Sequence, residues 1–133
     1  MNIGWNPVSK PKHKRGKPTQ GQHTKITPVV RKEVRRRAEE HTGYPVCGRC
    51  SCSQPEGWFE NAHLTNASQY GSGRVPWNID LLCGPKNLTG SCHQWVDETE
   101  EGRDWKIRRQ AELYIYYTTG PGRKYWKQAG VVT

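Results

Sequence analysis

Apolar residues are sparse along this chain and come in short runs separated by long polar stretches. The first run with a clear period is Val30, Val34 and Ala38, four apart, which lays one stripe along a helix. Thr27 followed by Pro28 reads as an N-cap with proline at the first helical position, and Gly43 as a stop. The pattern predicts a helix over about 28–41, with Arg31, Lys32, Arg35, Arg36 and Arg37 covering its other faces. Trp58 to Leu64 reads as a strand: Trp58, Glu60, Ala62 and Leu64 face one way, Phe59, Asn61 and His63 the other. Ile79 to Cys83 is a second short apolar run and a second strand, with polar loops over 66–77 and 84–91. Cys92 to about Glu101 reads as a helix. A longer helix is expected over 104–118, in which Ile107, Ala111, Tyr114 and Ile115 form a partial stripe. Gly120-Pro121-Gly122 ends it and leaves a tail over 120–133. Residues 1–26 are rich in Pro, Gly and Lys without a period, which predicts an extended or disordered arm. The sum is an α+β chain: one domain over 27–119 between an arm and a tail.

Composition changes this picture in two ways. Hydrophobic residues make up only 32% of the 133 positions, so a large dry core is not available and a staple is expected. The net charge of +9 is concentrated at one end, because residues 1–37 hold eleven Lys/Arg against the single acid Glu33. Such a segment attracts polyphosphate or an anionic surface. No apolar run is long enough for a membrane span, and none follows the first Met as a secretory signal would. A cytoplasmic, reducing location and no membrane partner are therefore expected.

The five cysteines are an odd number, and in a reducing compartment metal binding outranks a disulfide framework. Cys47-Gly-Arg-Cys50 has the spacing at which two thiolates grip one tetrahedral metal from a single turn. Cys83 and Cys92 offer the second pair, which predicts a structural zinc site of four thiolates. Zinc contributes about 10–16 kcal/mol in small zinc-finger peptides, against a usual net stability of about 5–15 kcal/mol, so the fold is expected to depend on it. Cys52 forms a competing Cys-x-Cys with Cys50, and is read as either a spare thiol or a substitute ligand.

Taken in order, Cys47-Gly-Arg-Cys50, then Glu60-Asn-Ala-His-Leu64, Trp77-Asn-Ile-Asp-Leu-Leu-Cys83 and Gly90-Ser-Cys-His-Gln-Trp-Val-Asp97 resemble the HNH endonuclease family. The likeness is to its small phage and prophage forms, and it spans about residues 28–100. It implies a ββα-metal (His-Me finger) core with a structural zinc knuckle, preceded by the basic helix and followed by the C-terminal helix. It further implies that His63 is the general base for the attacking water, that Asn78 holds the loop and orients that base, and that His93 binds a catalytic metal. Phosphodiester hydrolysis needs such a base and a Lewis acid. His93 and Asp97 stand four apart on one helix face and could share a divalent cation, Mg²⁺ or Mn²⁺. Other readings stay open: His93 as a zinc ligand, Asn78 as a turn residue, Asp97 as an acid complementing the helix dipole. One position departs from the family. Ala62 stands where an Asp or His usually ligates the metal, so Asp97, Glu60 or a water fills the gap, or catalysis is lost.

DNA is the partner these features imply, with a phage terminase as a packaging partner. Lys10, Lys12, Lys14, Arg15, Lys17, Arg31, Arg35 and Arg36 are the candidate phosphate contacts, and Arg74 could steady the scissile phosphate. The competing expectation is a non-catalytic zinc module that binds DNA or a packaging partner.

Overall fold

A computed structural model describes residues 19–55 and 57–126. The candidate contacts Lys10, Lys12, Lys14, Arg15 and Lys17 lie outside the described residues.

Four helices and two strands follow one another as α1 (Gln20–Thr24), α2 (Pro28–Ala38), β1 (Phe59–His63), β2 (Ile79–Cys83), α3 (Cys92–Glu98) and α4 (Glu100–Thr118). Short 3-10 turns occupy Ala67–Gln69, Pro76–Asn78 and Pro121–Tyr125. Each helix starts at a hydroxyl: Thr19, Thr27, Ser91 and Thr99 accept hydrogen bonds from the backbone N–H of Gln22, Val30, Gln94 and Gly102. Such caps satisfy donors that the first helical turn leaves unpaired. The break between α3 and α4 falls at Thr99, which is extended (φ −117°, ψ 154°), so the long helix begins at residue 100 rather than the expected 104. Glu100 and Glu101 in its first turn complement the helix dipole. Gly102 lets α4 start directly against the Trp95 carbonyl, where a Cβ has no room.

The strands pair antiparallel, with Phe59 opposite Cys83 and His63 opposite Ile79. Apolar residues pack on both faces of this two-stranded sheet. Ile26, Val30 and Val34 meet Ile79 and Leu81 on one face. Ala62 and Leu82 meet Cys47, Cys92 and Val96 on the other. Full burial of an aliphatic side chain contributes about 1.5–3 kcal/mol, so the core is thin, as the composition required. Among the described residues, no helix is long and apolar enough to cross a membrane.

Two expectations change. Residues 19–26 are not an extended arm: they form α1 and place Thr24 and Ile26 in the buried interior. Arg37 is not a surface residue of α2. Its guanidinium donates to the Pro76 and Ile79 carbonyls (2.9 and 2.7 Å) and pairs with Asp80 (3.2 Å). Asp80, only 2% exposed, also receives Arg109 at 2.8 Å, so one buried carboxylate joins α2, β2 and α4.

Candidate functional site

The chain turns back sharply after Cys47. The Ser51 amide donates to the Cys47 carbonyl (2.9 Å), and Ser51 takes a positive φ of 60°. This knuckle brings Cys47 and Cys50 beside Cys83, at the end of β2, and Cys92, at the start of α3. The four Sγ atoms lie within 4.8 Å of one another. Backbone amides of Arg49 and Cys83 point at the Cys47 sulfur, and that of Cys92 at the Cys83 sulfur, each at 3.4 Å. The Arg49 guanidinium reaches the Cys92 sulfur (3.4 Å) while lying over the Trp95 ring.

Burial pushes the Cys47 thiol up to about 11 and raises Cys92 as well. Burial acts the same way on Cys50, but hydrogen bonds from the Cys52 backbone and the neighbouring thiols outweigh it and bring Cys50 down to about 7. A cation reverses such resistance, because thiolates form on binding it. These four residues could therefore hold a metal ion such as zinc. Cys52 is exposed, outside the quartet, with its thiol directed at the Cys50 carbonyl. His93 is not part of the quartet either.

On the other side of α3, a cleft of about 370 Å³ is lined by His63, His93, Asp97, Asn61 and Lys86. The last residue of β1 supplies His63. Its Nε2 lies 2.7 Å from the Thr24 carbonyl. A carbonyl only accepts, so Nε2 carries the proton and the neutral ring keeps its lone pair on Nδ1. His93 stands between two carboxylates, with Nδ1 at 2.7 Å from Glu60 and Nε2 at 3.2 Å from Asp97. Burial lowers the basicity of His93, but the hydrogen bonds to Asp97 and Glu60 outweigh it and hold the ring above its ordinary pKa. Burial opposes ionisation of Asp97 too, yet His93 and Lys106 keep its carboxyl far below the usual range. Lys106, 3% exposed, reaches Asp97 and the Asn66 side chain, both at 2.6 Å.

Asn78 lies behind the cleft, 2% exposed, with every amide group in use. Its oxygen accepts from the Thr65 amide and from Gln110, both at 2.6 Å, and its nitrogen donates to the Thr65 and Ser72 carbonyls (3.2 and 2.8 Å). The residue therefore ties the segment after His63 to β2 and α4.

Ala62, buried against the sulfur cluster, offers no ligand. Glu60 is turned toward α3 and the loop after β2: its Oε1 receives His93 and the Lys86 amide, both at 2.7 Å.

The predicted phosphate contacts divide. Arg31 and Arg74 are exposed, and Arg74 does not line the cleft. Arg35 pairs with Glu39 at 2.8 Å. Arg36 is committed inside the fold, donating to Glu33 (2.7 and 2.8 Å) and Tyr116 (3.0 Å) and stacking on Tyr125, so its donors are not free for phosphate. Sequence reasoning missed Lys86 and Lys106, and named Glu60 only as a substitute metal ligand, not as the partner of His93. Their only signal is an ordinary charge in a loop, helix or strand, and position alone reveals what each one faces.

No family model, curated protein or solved structure matches the chain.

Proposed function

We propose that the chain is a metal-dependent DNA endonuclease or nickase of the HNH type, with β1, β2 and α3 as its ββα core and the sulfur quartet as a structural zinc site. The observation that carries this reading is the convergence of His63, His93 and Asp97 on one cleft, with the tautomer of His63 set by the Thr24 carbonyl. Asn78 braces the loop between them from behind.

The donor set suits a divalent cation. The Nε2 of His93 and the carboxylate of Asp97 face one another, and Asn61 in the same cleft has a buried side-chain oxygen with no donor. His93 and Asp97 would hold the ion, which when bound supplies a Lewis acid for the leaving oxygen. Glu60 then orients the His93 ring through Nδ1, a carboxylate behind a ligating imidazole. His63 accepts the proton of the attacking water on Nδ1 while Nε2 stays bonded to the chain. Lys86, on the rim and 3.5 Å from Asp97, would turn from that carboxylate to meet the phosphate charge, the role expected of Arg74. The phage resemblance adds a setting inside a host cell, where a terminase is the packaging partner.

A supercoiled plasmid tests the proposal. Mg²⁺ or Mn²⁺ is expected to support nicking, and His63→Ala to slow it by about 10²–10⁴-fold, the usual worth of a general base, with an unchanged circular dichroism spectrum. A second reading, a zinc module that binds DNA without cutting it, is favoured by Ala62 and by the two lysines, Lys106 and Lys86, already paired with Asp97. It wins if the wild-type protein retards DNA on a gel but cleaves none with any divalent ion.

A further inference from the structure

The long helix α4 is buried along one side and apolar along the opposite side. Gly102, Lys106, Leu113 and Tyr117 face the fold. At 100° per residue, Ile107, Ala111, Tyr114 and Ile115 fall on the reverse side, and they are open to solvent: Ile107 is 70% exposed, Ile115 60% and Tyr114 51%. Trp77 widens the strip by meeting Tyr114 edge-on at 5.4 Å, and a shallow groove runs between Trp77, Ile107, Ala111 and Tyr114. A surface helix of a lone domain normally shows solvent a polar face. A contiguous apolar strip of this kind marks an interaction surface.

We propose that a second copy of the chain packs on this strip, α4 against α4, antiparallel about a two-fold axis through Ala111. The charges at the strip's edge select that partner and that direction. Arg108 and Glu112 are exposed on the same edge, one turn apart, and Glu112 has only a long contact of 3.7 Å to Arg109 in its own helix. With a rise of about 1.5 Å per residue, Arg108 lies about 4.5 Å to one side of Ala111 and Glu112 about 1.5 Å to the other. An antiparallel two-fold therefore brings each Arg108 beside the other copy's Glu112, and each Ile107 opposite the other copy's Ile115. A parallel two-fold would put the two Arg108–Glu112 edges on opposite sides of the contact, where these charges do not meet. The surface is thus complementary to itself, as a two-fold contact requires. Nucleic acid does not suit it, because the centre of the strip carries no cation. The inference holds whether or not the cleft is a nuclease site.

Light scattering on the metal-loaded full-length chain tests it. A mass of twice 15.3 kDa is expected at tens of micromolar protein, falling toward the monomer on dilution. Ile107→Lys with Ile115→Lys should give a monomer of unchanged melting temperature. Arg108→Glu should weaken self-association about tenfold or more, and adding Glu112→Arg should restore it. A wild-type monomer throughout the concentration range overturns the proposal. A dimer that survives the double lysine variant overturns it too, and failure of the charge swap to restore association overturns the antiparallel register.

Discussion

Among single residues, His63 and Asn78 show how differently two members of one constellation are held. His63 makes one hydrogen bond, to a backbone carbonyl, from a half-buried position. Asn78 makes four, and three of its partners are backbone groups, the Thr65 N–H and the Thr65 and Ser72 carbonyls. Removing a partner from a buried backbone group costs about 1–3 kcal/mol. Asn78→Ala is therefore expected to lower stability by about 2–4 kcal/mol, read as a melting temperature about 10–15 °C lower, and to reduce nicking with it. His63→Ala should affect nicking alone. Equal melting temperatures for Asn78→Ala and wild type would show that the loop does not hang on this amide. The sequence pointed to both residues through the order of the motif. It could not show that Thr24 completes the arrangement, since a backbone carbonyl leaves no mark on composition or period.

Among the elements, the strands were the most visible, because alternation of Phe59 to His63 and the apolar run Ile79 to Cys83 each have one simple reading. Of the helices, α2 was visible through its Thr27-Pro28 cap and its apolar stripe, whereas α1 is too short to show a period, and at the start of α4 Thr99 both ends one helix and caps the next. The stripe read along α4 is real but faces outward. The inner face is built on Lys106, Leu113 and Tyr117, whose apolar surface is partly a lysine stem and a phenol ring. The knuckle was visible because four cysteines at these spacings have few other uses. It carries a prediction of its own. Cys83→Ser should lose tightly bound zinc by elemental analysis and unfold near 37 °C, whereas Cys52→Ser, outside the quartet, should keep one zinc per chain and the wild-type melting curve. Loss of zinc in Cys52→Ser would move that thiol into the site.

For the molecule as a whole, much of the cohesion between α2 and α4 is polar. Tyr117 donates to Glu33 at 2.6 Å, and Arg37 donates to the Tyr117 oxygen at 3.1 Å. Burial raises the pKa of Tyr117 and Glu33 adds to this, although Arg37 opposes it. Above the ordinary tyrosine pKa of about 10, the unfolded chain has released that proton while the folded chain still holds it. Stability is therefore complete below pH 10 and falls as the pH rises further. Melting temperatures from pH 8 to 11.5 should show the decline, with a shallower slope in Tyr117→Phe; identical slopes would remove Tyr117 as its source. The sulfur quartet has a wider consequence. Its ligands come from two distant stretches of chain, so a cation bridging Cys50 and Cys83 closes a ring that contains β1, the Asn78 loop and His63. Were a metal held there, its loss would open that ring and release β1, the Asn78 loop and His63 together rather than one at a time.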